Sequence, residues 1–214
     1  MKLAYAAIAL AAGSASAQAS VTISSTPGSA SYAGPAPTYD FETAAPITGG
    51  AVRTGSLSGI TAQPLGSTGN YWAIGPSNGG TGFLDLSSFS AISAISFLWG
   101  SADAFNWLDV LDRGGAVLAT FNGLDVAAGA NGSWTAESMN PLASLSITGA
   151  DRTNIGGLRL RATNNAFEVD NFAIGAIPEP ATWAMLVLGF GVLGGAMRGR
   201  SRKAGQMRQA LSFA

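Results

Sequence analysis

"AISAISFLWGSADAFNWLDVLDRGGAVLATF" runs from Ala91 to Phe121, and its reading decides the fold. Ala91 to Gly100 is an apolar, β-rich run. "WLDVLD" (Trp107–Asp112) and "AVLATF" (Ala116–Phe121) flank Arg113-Gly114-Gly115, the chemistry of a hairpin turn. Downstream, "SLSIT" (Ser144–Thr148) and "LRLRAT" (Leu158–Thr163) alternate with period two, and "AFEVDNFAI" (Ala166–Ile174) reads as the last strand. No stretch of this body has a persuasive helical period. Short strands separated by Gly-rich turns predict an all-β sandwich or barrel over residues 38–176. Upstream, the Gly, Ser and Thr content from Thr43 to Gly82 predicts long loops between short strands. Residues 18–37 read as a flexible lead-in.

Composition narrows the chemistry. Residues 18–177 hold 11 acidic and 5 basic side chains, a net charge of −6. A basic groove for nucleic acid is therefore excluded. The chain has no cysteine and no histidine, so disulfides, thiolate nucleophiles, Ser-His-Asp triads and His-ligated metals are all absent. Glycosidase chemistry needs only two carboxylates and survives formally.

The two ends carry different information. "MKLAYAAIALAAGSASAQA" opens with Lys2, continues as an apolar stretch from Leu3 to Ala12, and closes on Ala15 and Ala17 in an A-x-A arrangement. That is the layout of a secretory signal peptide over residues 1–17, cut before Gln18 by signal peptidase after passage through the Sec translocon. At the other end, Thr182 to Met197 is 16 residues without a charge, about 24 Å as a helix against the roughly 30 Å of a hydrocarbon core. It predicts a short transmembrane helix over 182–197. The basic cluster at 198–203, with Arg198, Arg200, Arg202 and Lys203, predicts a cytoplasmic C-terminus, residues 204–214 being a small tail. The body then lies outside. Pro178 and Pro180 bracket Glu179 and hold Ile177 to Pro180 extended. An extended segment at the membrane surface suits a membrane-embedded protease, which binds strands rather than helices.

Residues 177–203 resemble a PEP-CTERM sorting signal, in the variant that reads P-E-P-x-x-W-A. The matching residues are Pro178, Glu179, Pro180, Trp183 and Ala184 (motif 178–184), with Gly189-Phe190-Gly191 in the span. The resemblance implies an exosortase as partner, an integral membrane cysteine transpeptidase of Gram-negative bacteria that make extracellular polysaccharide. It also implies cutting near the triplet and transfer of the body from the inner membrane to the cell surface or beyond. The short span then needs to hold the chain only until processing, as the discarded tail of a GPI signal does. A narrower resemblance covers Phe97 to Ile174. Trp99, Gly100, Ser101, Asp103 and Asn106, then Phe167, Glu168, Asp170 and Asn171, look like a group of exosortase-dependent surface proteins with a W-G-S-x-D-x-x-N core. It implies a jelly-roll-like β-sandwich.

Within that body, Asp103 and Asn106 suit a polar turn in which both bond loop amides. Trp99 is expected in the core. Trp72 and Trp134 sit in Gly/Ser/Asn-rich stretches and are the candidates for glycan contact. "YDFET" places Asp40 and Glu42 on what is expected to be the first strand of the domain, and "FEVDN" places Glu168 and Asp170 on the last. Each pair shares a strand face, about 7 Å apart. In jelly-roll binding modules, which the chain resembles, first and last strands run side by side and acidic groups there often share a structural Ca²⁺. These four carboxylates are either such a clamp or solvated groups on edge strands. The functional expectation is an exported, non-catalytic surface or matrix protein associated with extracellular polysaccharide. The alternatives are a carbohydrate-binding module that recognises a glycan directly and, behind it, a secreted glycoside hydrolase.

Overall fold

The computed structural model describes residues 20–176, as two antiparallel sheets packed face to face. Eleven strands follow one another: β1 (Val21–Thr26), β2 (Ile47–Gly49), β3 (Ala51–Thr54), β4 (Asn70–Ile74), β5 (Thr81–Asp85), β6 (Ile92–Gly100), β7 (Asn106–Asp112), β8 (Val117–Asn122), β9 (Leu142–Ile147), β10 (Ile155–Ala162) and β11 (Phe167–Ala176). One sheet has the order β1-β9-β6-β11-β4-β3, the other β2-β5-β10-β7-β8. The only α-helix among the described residues is one turn, Gly123–Val126. None of their helices is long and apolar enough to cross a membrane. The expected signal peptide and membrane span lie outside the described residues.

The predicted hairpin is the centre of the winding. Asp112 Oδ1 accepts the N–H groups of Gly114 and Ala116, and Gly115 takes φ 84°, a left-handed conformation that favours glycine. From there the pairing is nested: β7 with β8, β6 with β9, β5 with β10 and β4 with β11.

The inner faces supply the core. β6 contributes Ile95, Phe97 and Trp99, β7 contributes Leu108 and Val110, β10 contributes Leu158 and Leu160, and β11 contributes Phe167 and Val169. Phe97 stacks on Phe172 at 4.8 Å and Trp99 on Phe167 at 4.4 Å. β6 reads as a continuous apolar run because its outer side is covered too. Leu98 and Ser96 are buried there, beneath irregular segments, with Pro64 pressed against Gly100. Near its middle β11 bulges. Asn171 takes φ 55°, the pairing with β6 shifts between Asp170 and Ala173, and Phe172 returns to the core.

Three sequence expectations are corrected. The lead-in is not all flexible: β1 pairs along its whole length with β9. It reads as linker because only Val21 is buried, leaving an edge strand of Ser and Thr. "YDFET" is therefore not the first strand. Tyr39 makes a single bridge to Phe172, and the chain then turns at Phe41, which has φ 60°. Trp72 is not in a loop. It lies on β4, fully buried, and its indole N–H donates to the Gly49 carbonyl at 3.0 Å. A side chain so placed cannot contact a glycan.

Candidate functional site

The W-G-S-x-D-x-x-N stretch builds one wall of a groove. β6 ends at Gly100, where a Cβ would come within 2.8 Å of Pro64. Ser101 follows with φ 38°, a strained conformation for a residue with a side chain. Two bonds hold it: its N–H donates to Asn140 Oδ1 at 3.0 Å, and its hydroxyl donates to Glu168 Oε2 at 2.6 Å. Asn106, fully buried, closes the turn by accepting the Asp103 N–H at 2.9 Å and donating to the Ala166 carbonyl. Asn106 thus does what the sequence predicts. Asp103 does not: its carboxylate accepts no hydrogen bond among the described residues. Burial alone pushes its pKa up, the mark of a carboxylate facing a partly desolvated space.

That space is an open groove of about 460 Å³, a size suited to a small ligand or a short stretch of polymer. One wall is the loop at 56–62, a tight turn in which Leu57 and Thr61 exchange backbone bonds around Gly59. Gly132, Trp134, Asn165, Ala166 and Glu168 also line the groove. Trp134 is 56% exposed, so a large apolar face is presented to solvent beside Asp103. Glu168 is committed to the fold. Its Oε1 accepts the Thr61 hydroxyl and the Ala62 N–H, at 3.1 and 2.8 Å, and its Oε2 takes Ser101. Burial still raises its pKa despite those donors. Glu168 is the clamp that fixes the 56–62 loop to the end of β6.

Asn140 is the residue that sequence reading missed. Its Oδ1 accepts Ser101 and Leu65 N–H groups, and its Nδ2 donates to the Ser133 and Ala136 carbonyls. One buried amide thereby ties the Trp134 loop to the Ser101 turn. The only signal was an Asn-Pro pair in a Gly/Ser/Asn-rich stretch.

Of the proposed calcium ligands, Glu168 is drawn away from the other three, while Asp170 stays within electrostatic reach of Asp40 and Glu42. Glu168 and Asp170 do share the outer face of β11, yet they lie under different loops. Asp40 Oδ1 accepts the Glu42 N–H, Glu42 accepts the backbone N–H and the side-chain amide of Asn70, and Asp170 Oδ1 accepts the Asn171 N–H. Asp170 is pushed up to about 7, by burial first and then by the charges of Asp40 and Glu42. Among the described residues no group of three or more His, Cys, Asp or Glu side chains is placed to hold a metal. The four-carboxylate clamp is thus not assembled, because the donors of the covering loops take up Glu168.

What fold and groove define is an antiparallel two-sheet domain with a solvent-facing groove at its loops. Residues 176–203 match the family model described as PEP-CTERM protein-sorting motif. The motif implies export and cell-surface sorting, with an exosortase as the processing partner. It includes Pro178, Glu179, Pro180, Trp183, Ala184, Arg198, Arg200 and Arg202, all outside the described residues. No match was found among curated proteins or among solved structures.

Proposed function

We propose that this chain is a non-catalytic surface protein that exosortase delivers to the extracellular polysaccharide, where the Trp134 groove binds a glycan directly. The signal peptide would take the chain through the Sec translocon, and the short span at 182–197 would hold it in the inner membrane, C-terminus inside, until cutting. The observation that carries the glycan reading is the pairing in one groove of an exposed tryptophan with an unengaged carboxylate, Asp103. A sugar ring offers an apolar face to stack and hydroxyls to donate, and that pair meets both. The nested strand pairing supports the jelly-roll reading. Hydrolysis is the weaker reading, because it needs two working carboxylates and the second acid lining the groove, Glu168, is held by three donors.

A glycan array with the exported protein tests this. Binding to at least one neutral glycan is expected, reduced tenfold or more by Trp134→Ala and by Asp103→Asn. Release of reducing sugar from a bound glycan would overturn the non-catalytic assignment, and binding indifferent to both substitutions would overturn the groove.

A further inference from the structure

The outer face of the five-stranded sheet carries a second arrangement, unconnected with the groove. Antiparallel register aligns Thr48, Phe83, Arg159, Asp109 and Thr120 in one row across β2, β5, β10, β7 and β8. The next row holds Thr81, Arg161, Trp107 and Asn122. The first row spans about 19 Å at about 4.8 Å per strand. Fourth in that row, Asp109 is 1% exposed. Its Oδ2 accepts Arg159 Nε at 2.9 Å and Arg161 Nε at 2.8 Å, and its Oδ1 accepts Arg161 Nη2 at 3.0 Å and the Thr120 hydroxyl at 2.8 Å. Burial opposes the Asp109 charge, yet the bonds from Arg161, Thr120 and Arg159 hold its pKa below the usual carboxylate value.

One carboxylate therefore serves two guanidinium groups, and one positive charge is left over. No other acid lies in either row. Asp85 belongs to the next row and caps the Ser87 N–H, and Asp125, just past the end of β8, caps the Asn122 N–H. Both arginines remain more than a third exposed, at 36% and 39%, and among the described residues neither Nη1 has a partner. Arg161 is further fixed over the Trp107 ring at 5.9 Å. Of the other body arginines, Arg113 donates to three backbone carbonyls and Arg152 to that of Ile147, while Arg53, on β3 of the other sheet, has no hydrogen-bond partner at its buried Nε among the described residues. On a domain of net charge −6, this is a fixed cationic spot flanked by Phe83 and Trp107.

We propose that this sheet face binds an acidic polysaccharide, with Arg159 and Arg161 taking the sugar carboxylate and Phe83 and Trp107 packing against the sugar rings. Arg matches the planar carboxylate with two parallel N–H donors. Here the guanidinium groups are already immobilised by Asp109, so ligand binding costs little side-chain ordering. A uronic acid ring supplies both parts, a carboxylate at one edge and a C–H face. An acidic peptide supplies only the first.

The test is calorimetric titration of the exported protein with polygalacturonate, its methyl-esterified form and poly-glutamate, at 150 mM salt as a roughly physiological ionic strength. Binding of polygalacturonate alone is expected. The Arg159→Lys/Arg161→Lys double variant keeps cations on Asp109 but removes the spare guanidinium donors, and should bind tenfold or more weakly. Phe83→Ala leaves the ion pairs intact and should weaken binding by a similar factor. Arg113→Lys, a change of the same kind elsewhere, should alter it less than twofold. Equal binding of poly-glutamate or of the esterified polymer, or no loss in the lysine and Phe83 variants, would overturn the proposal, as would no binding of polygalacturonate at all.

Discussion

Trp72 and Trp134 look alike in the sequence and have opposite fates. Trp72 packs beside Phe41 and under Gly82, where a Cβ would come within 2.3 Å of its ring. Trp134 stands 56% exposed at the groove. Trp72→Ala should therefore cost about 3–5 kcal/mol of stability, read as a lowered denaturation midpoint. Trp134→Ala should leave stability within about 0.5 kcal/mol and weaken glycan binding at the groove tenfold or more. Asp170 gives a second prediction. Its folded pKa of about 7 lies above the roughly 3.9 of an unfolded Asp. Between these values the native state holds a proton that the unfolded state has released, so the contribution is full below about pH 4 and is lost as pH rises through 7. The melting temperature should fall from pH 5 to pH 8, and Asp170→Asn should flatten that slope. A slope unchanged in the variant would count against it. Nothing in the sequence marks Asp170 as different from Glu168. The difference comes from which loop folds over each, a non-local matter.

At the scale of elements, the strands from β6 to β11 were legible because alternation or an apolar run announces each. β1 and β4 were not. β4, "NYWAI", is buried on both faces, Trp72 and Ile74 inward and Tyr71 under the loops, so it shows no alternation and is too short to stand out as a run. β1 is legible only through its partner β9, some 120 residues away in sequence. A form lacking residues 18–26 should lose the burial of Val21, about 2 kcal/mol, and expose the edge of β9. It should melt lower than the full domain and run as larger species on size exclusion. An unchanged melting curve and a monomeric profile would show β1 to be dispensable. The central hairpin makes a smaller demand. Gly115→Ala meets no atom within 4 Å, so only the left-handed backbone is penalised, at about 1 kcal/mol by chemical denaturation.

For the whole molecule, the sorting motif and the domain are separate layers of information. The motif was legible as an ordered set of residues, and its match to 176–203 agrees with the reading of 177–203 to within a residue at its start. The groove was legible only in part. Trp134 stood out as an aromatic in a polar loop, and the Ser101 to Asn106 turn stood out by residue type. The convergence of the 56–62 loop on Glu168 depends on register between β6 and β11 and has no local signature. The central claim is that the domain reaches the surface by exosortase cutting near Pro178-Glu179-Pro180. Intact mass of the surface-located protein, from cells with and without the exosortase, tests it most directly. The account predicts a form beginning at Gln18 and lacking the segment after the triplet, lost in exosortase-deficient cells and in a Pro178→Ala/Pro180→Ala variant, where uncut precursor stays in the membrane. The same truncated mass at the surface in all three backgrounds would contradict it.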